Sequence, residues 1–273
     1  MKNKNPKLCA LFFSLFVLSN TSYAELDVVN TGLVNDTVLN TTWMKDANLF
    51  NALCKANNPI AMDFFPPSSD KNRQITDANA ICSRDGRMTW SNAQGWIDRL
   101  NQQNYLGHND WRLPTTNQPD GTCEYQTTAQ GLVVSGGYNC IGKEFSHLFN
   151  ASLDNPNHAG TGAMGGKIGS VCADSIAQPQ FCFQNTAPFS NTVPITYWSE
   201  SSAAGAFLET NNTFNEKAAY KWTFNTKSGY QGSKHRGFDE ANVWPIRSGL
   251  SEGNSSGTGA IISIIQLLLL AEE

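Results

Sequence analysis

No run of apolar side chains in this 273-residue chain is long enough to cross a bilayer as a helix. Leu8 to Leu18 and Ala260 to Ala271 hold eleven and twelve residues, whereas a spanning helix needs about 20. Cys-x-x-Cys is missing, and none of the four histidines stands at ligand spacing from a cysteine, which argues against a zinc site. Gly160 to Gly169 is glycine-rich, yet Thr161 stands where a phosphate loop needs its first glycine and Ile168 where it needs Ser or Thr. Basic residues are outnumbered, 19 Lys and Arg against 23 Asp and Glu, for a net charge of −4. That balance argues against nucleic acid and against anionic membrane surfaces as partners. A local basic cluster, Lys227, Lys234, His235 and Arg236, reads as a solvated loop. The chain shows no convincing internal repeat.

What is present begins with an export signal. Lys2, Lys4 and Lys7 precede the Leu8 to Leu18 run, and Ser22-Tyr23-Ala24 places small residues where a signal peptidase reads them. Residues 1–24 are therefore expected to be removed; the loss of three lysines and no acid moves the formal charge from −4 to −7. Six cysteines stay behind: Cys54, Cys82, Cys123, Cys140, Cys172 and Cys182. An even set in an exported chain points to disulfides, with 15 pairings open in principle. Proximity favours 54–82, 123–140 and 172–182, and the 123–140 loop alone is worth about 3 kcal/mol in the chain-entropy account.

Residues 25–248 fit one loop-swollen domain, followed by a Gly/Ser linker at 249–259 and an apolar tail at 260–273. The tail suits packing or self-association, giving a homo-oligomer, ahead of membrane contact. Val38 to Met44 alternates and predicts a strand; residues 57–70, with three prolines, predict irregular chain. Thr89 to Gln103 is the clearest helix: Trp90, Ala93, Ile97 and Leu100 share one face, Ser91, Asn92, Asp98 and Arg99 face away, and Thr89 caps it. A shorter helix is expected over Lys143 to Phe149. Strands are expected near 195–199, 219–225 and 242–247, with Tyr220, Trp222 and Phe224 alternating strictly. Two polar inserts, 117–142 and 151–194, each enclose one neighbouring cysteine pair and belong on the surface.

Tryptophans in far-separated segments (Trp43, Trp90, Trp111, Trp198, Trp222) predict one shared aromatic interior. Three signatures each bear a tryptophan: Trp111-Arg112-Leu113-Pro114-Thr115, Tyr197-Trp198-Ser199-Glu200 and Val243-Trp244-Pro245-Ile246-Arg247. Further markers are Trp43 with Asp46-Ala47-Asn48, Met88-Thr89-Trp90, Tyr105-Leu106-Gly107, and Glu144 with His147-Leu148-Phe149. Together, from about Thr37 to Arg247, they resemble the Lcl C-terminal domain family of bacterial proteins. Trp244 departs from the pattern, since relatives commonly have arginine there.

The resemblance implies an α+β, C-type-lectin-like fold: two helices, a small twisted antiparallel sheet uniting the chain ends, and long loops above. It also implies a non-catalytic surface module, since relatives include adhesin modules that bind sulfated polysaccharides. Sulfatase-activating enzymes share the superfamily, but they use a reactive thiol pair late in the domain, and no cysteine follows Cys182.

Among candidate site residues, Gln118-Pro119-Asp120 resembles the calcium- and sugar-binding tripeptide of lectins and offers oxygen ligands. It lies before the second helix, whereas the lectin tripeptide belongs in the long loop after the first core strand, and the partner Trp-Asn-Asp is missing, so no cofactor is assigned. Arg112, flanked by Trp111 and Leu113, must bury its stem and needs a carboxylate; Glu144 is the candidate partner. His147 packs, without a paired carboxylate to make it catalytic. The expected function is glycan recognition through the inserts, whose aromatics are Tyr125, Tyr138, Phe181, Phe183 and Phe189. The alternatives are an assembly protein joined through its tail and an extracellular enzyme.

Overall fold

A computed structural model describes residues 26–64, 78–129, 132–156, 182–203 and 220–252. The expected leader, the tail, Cys172, Phe181 and the 160–169 stretch lie outside the described residues.

The first sheet unites both ends of the domain in the order β1-β2-β3-β9, all antiparallel. Its strands are Leu26–Val28, Leu33–Asp36, Thr41–Met44 and Ile246–Ser248. The strand expected over Val38 to Met44 forms over Thr41–Met44 only, its first residues going into the turn of a hairpin with β2. Asp36 accepts the Leu39 N–H, and Asn40 takes a left-handed φ of 51°, which together turn the chain at 37–40. Trp43 faces Ile246 across the ladder, and Thr42 faces Arg247.

Between β3 and the later strands lie the helices α1 (Leu49–Lys55), α2 (Pro59–Met62), α3 (Ala78–Cys82) and α4 (Trp90–Gln102). Helix α2 falls in the stretch expected to be irregular: Pro59 at its first position and the Asn58 cap start a single turn there. Thr89 caps α4 by accepting the Asn92 N–H. The buried face of α4 is Asn92, Ala93, Trp96, Ile97 and Leu100. Asn92 was expected to face away, but the cap turn draws it inward; Trp90 is only half-buried. The second expected helix is α5 (Glu144–His147), continued by a wider turn over Leu148–Ser152.

The first insert carries a hairpin that the composition had hidden, β4 (Tyr125–Ala129) with β5 (Leu132–Gly136). Its base is closed by the Cys123–Cys140 disulfide, while Cys54–Cys82 joins α1 to α3. Cys182 is disulfide-bonded too; its expected pairing with Cys172 lies outside the described residues.

A third sheet, β6 (Thr196–Ser202), β7 (Tyr220–Asn225) and β8 (Tyr230–His235), completes the domain. It is stitched to its neighbours by bridges from Tyr197 to Asn242 and from Gln231 to Gly137. The expected last strand is thus divided: Asn242 pairs with β6, and only Ile246–Ser248 joins the first sheet.

One core holds residues from Leu33 to Ile246, including Trp43, Trp111 and Trp198, with Trp90 packed on its edge. Trp222 departs from the expected arrangement. It lies in a separate small cluster with Val134 and Ala203, because the β4–β5 hairpin folds over that end of β7. Trp244, set aside as the residue departing from its family's pattern, proves central. Its ring centroid lies 5.3 Å from Trp43, 5.0 Å from Phe189 and 5.4 Å from Tyr197. Its Nε1 donates to the Met44 carbonyl at 2.7 Å, so the buried indole keeps its polar handle satisfied.

Candidate functional site

Glu144, 2% exposed, is the polar hub at the first residue of α5. Arg112 Nη2 donates to its Oε1 at 2.7 Å and Nη1 to its Oε2 at 3.1 Å, while Thr115 donates from both its amide and its hydroxyl. Four donors on one carboxylate offset the cost of its desolvation. The five-residue signature is thereby fastened at both ends: Trp111 exchanges hydrogen bonds with the Asn101 side chain, and the Pro114 carbonyl accepts from Glu200. Arg247 makes a second paired contact, to Asp110 at 2.8 and 3.0 Å, but at the surface. That guanidinium holds the Asp110 carboxyl below its usual range. Every signature residue thus bonds or packs within the protein.

The tripeptide Gln118-Pro119-Asp120 is structural as well. Asp120, 3% exposed, accepts from the Thr122 amide at 3.0 Å and from the Gly142 amide at 2.8 Å. The Gln118 amide clasps the Ser135 backbone at 2.8 and 2.7 Å. These side chains brace the hairpin and leave little for a cation. Asp120 with Cys123 and Cys140 is the one group at metal-binding distances among the described residues, and both of its sulfurs are committed to the disulfide.

His147 Nδ1 contacts the Ser152 hydroxyl at 3.2 Å, and that hydroxyl donates to buried Asp36 at 3.2 Å. The serine stands between the other two, so this chain lacks the order of a hydrolytic triad, in which histidine is the middle member. Gly249-Leu250-Ser251-Glu252-Gly253 has nucleophile-elbow spacing, but Ser251 stands three residues past the end of β9 and is only 6% exposed. Its buried hydroxyl accepts from Arg247 at 2.9 Å.

Among the described residues, a feature that could receive a ligand lies elsewhere, on one face of the third sheet. A groove of about 430 Å³ is lined by Thr196, Thr223, Asn225, Tyr230, Gly232, Ser233, Lys234 and Asp239. Most of these alternate along β7 and β8 and so share one face: Thr223 lies opposite Gly232, and Asn225 opposite Tyr230. The cluster expected as a solvated loop is corrected in part: Lys234 and His235 belong to β8, with Lys234 in the lining of the groove, while Lys227 and Arg236 stand in turns. Asp239 is set by the turn that follows, its carboxylate accepting the His235 amide at 2.8 Å.

Tyr230 lies along the groove floor. A methyl group added at Gly232 would meet its ring at 2.6 Å, so the ring extends over the glycine. Tyr138 packs edge-on against it at 5.2 Å, and the Tyr125 hydroxyl lies 3.2 Å from its own. Gly136 and Gly137 make the same room for Tyr125. Burial raises the Tyr125 and Tyr138 phenols above their usual value, with the Tyr230 contact adding to it, so both stay neutral. At the other end, Lys221 sits 3.9 Å over the Trp90 ring and donates to Ser202 at 2.9 Å. Burial chiefly, and Arg236 in addition, lower its amine.

The sequence points to Tyr125 and Tyr138 in the first insert; both touch Tyr230, which lines the groove, but neither lines it. Phe183 and Phe189 are both buried, anchoring the second insert to the core. The groove residues themselves went unnamed apart from Lys234. The alternation Tyr230-x-Gly232-x-Lys234 after a tight turn was the only signal available.

No curated protein and no solved structure matches the chain. The model of the Lcl C-terminal domain family does match, over residues 32–247. That span takes in both paired arginines, the aromatic core and the groove, and the chain belongs to the Lcl C-terminal domain family.

Proposed function

We propose that this protein is an exported, non-catalytic glycan-binding module on a C-type-lectin-like scaffold, and that it holds its ligand in the groove of the third sheet. The carrying observation is the groove's chemistry. Hydroxyls, an amide, a lysine and a carboxylate line a concave face with one tyrosine ring on its floor, the mixture of polar points and aromatic surface that a sugar ring requires. Asp239 is the single carboxylate in that lining; glycosidic hydrolysis ordinarily takes two, which favours binding over cleavage. Disulfides at 54–82 and 123–140 suit an oxidising compartment, and no described helix is long and apolar enough to cross a membrane.

The test is to produce the chain from Glu25 onward and screen it against neutral and sulfated glycans, with and without a chelator. Binding that survives the chelator and is weakened by Lys234→Ala is expected. Silence across the whole set, from protein with a cooperative melt, would refute the reading.

A further inference from the structure

The groove's direction, together with the ring on its floor, says more about the ligand than its chemistry alone. Tyr230, Gly232 and Lys234 are successive same-face positions of one strand. At about 3.3 Å per residue, Tyr230 and Lys234 are about 13 Å apart along β8, room for two to three pyranose units at roughly 5 Å each. The polar partners are not gathered around one point, as a pocket for a single sugar would have them. Asn225 lies beside Tyr230 at one end, Thr223 beside Gly232 in the middle, and Asp239 with Lys234 at the other end.

The ring at Tyr230 is held in place. It crosses over a residue with no side chain, it is buttressed edge-on by Tyr138, and its hydroxyl is tied to that of Tyr125. A ring fixed in that way offers a flat apolar surface without losing rotamer entropy on binding. A sugar whose ring substituents are all equatorial suits such a surface best, since both of its faces are lined with C–H groups and either can stack on the ring.

Resting on the glycan-binding reading above, we infer that the groove takes an internal stretch of a linear, equatorially substituted chain of the β-1,4-linked gluco type. The chain lies along β8, with one sugar stacked on Tyr230 and the next units bonded towards Asp239 and Lys234. Recognition is of a run of units, so a monosaccharide binds weakly and affinity stops rising once the groove is filled.

Titration calorimetry with glucose and with cello-oligosaccharides of two to six units tests this on the chain from Glu25 onward. Affinity is expected to rise at least tenfold from glucose to the trimer and to level off thereafter. Tyr230→Ala is expected to remove at least tenfold of the trimer's affinity, whereas Tyr230→Phe keeps most of it. Gly232→Ala, which dislodges the ring without deleting it, should act in the same direction; melting curves confirm that each variant folds. Equal affinity for glucose and the hexamer overturns the inference, as does trimer binding untouched by Tyr230→Ala and Gly232→Ala. Failure of the whole cello series while another glycan binds overturns it too and leaves the glycan-binding reading standing. If no glycan of any kind binds, both fall.

Discussion

Strand β7 has two lives, one on each face. Inward, Phe224 lies 6.0 Å from Phe145 and 5.3 Å from Phe149, in the shell of rings around Trp244. Outward, one residue away, Thr223 looks onto Gly232 and the groove. The inner face is close-packed with aromatic rings. The outer face is polar, lightly tied and concave. The difference teaches where to look for function here: the residues that identify the family hold the fold together, and the residues that line the groove are ordinary ones. Substitutions on the two faces should therefore separate cleanly, with stability lost on one and binding lost on the other.

The sharpest break is expected from Trp244→Ala, which empties the centre of the ring cluster. A loss of about 3–5 kcal/mol is expected in urea unfolding, with no native fold at 37 °C if the domain is marginal. Glu144→Ala comes next, at about 3 kcal/mol, because it strands the Arg112 guanidinium and the Thr115 donors together. Near-native stability in Glu144→Ala would show that the hub is dispensable.

Asp110→Asn should cost far less, about 0–1 kcal/mol, since the Arg247 contact is surface-exposed and screened. Its pH dependence has a definite sign. The Asp110 carboxyl is held below its usual range, so its contribution is full above the ordinary carboxylate pKa and fades as the pH falls through the lowered value. The difference between wild type and Asp110→Asn should accordingly vanish in strong acid. The smallest stability effect belongs to Lys234→Ala, expected to lie within about 0.5 kcal/mol of wild type while weakening any ligand. A large fall in melting temperature there would blur the two faces and undo the comparison.

The sequence made part of this legible. Helix α4 announced itself because its apolar period and the Thr89 cap agree, local signals that no tertiary contact had to override. The Arg112–Glu144 pair could be anticipated across 32 residues because a guanidinium between two buried neighbours has few ways to be satisfied. Trp222 shows the limit of such reasoning. Its alternation with Tyr220 and Phe224 fixes a shared face, but not that a hairpin from another segment would cover one end of it. Trp244 shows another limit, for a departure from the family's pattern carries no hint that the replacement occupies the centre of the core. The groove was hidden for a further reason. Threonine, asparagine, serine and glycine are common strand and turn residues, and their convergence depends on the β7–β8 register, which the turn at 226–229 sets.

The departure of the chain at residues 249–251 has a mechanical consequence. Ser251 is gripped by Asn35, Thr42 and Arg247, and Gly249 is bonded to the Asn40 carbonyl and to the Thr42 hydroxyl. Traction applied to the polypeptide beyond Glu252 meets this knot before it can reach strand β9. The load then spreads across β2 and β3 and does not peel the last strand bond by bond. Strand β9 is therefore not the first element to bear the load; β2 and β3 share it through Asn35 and Thr42.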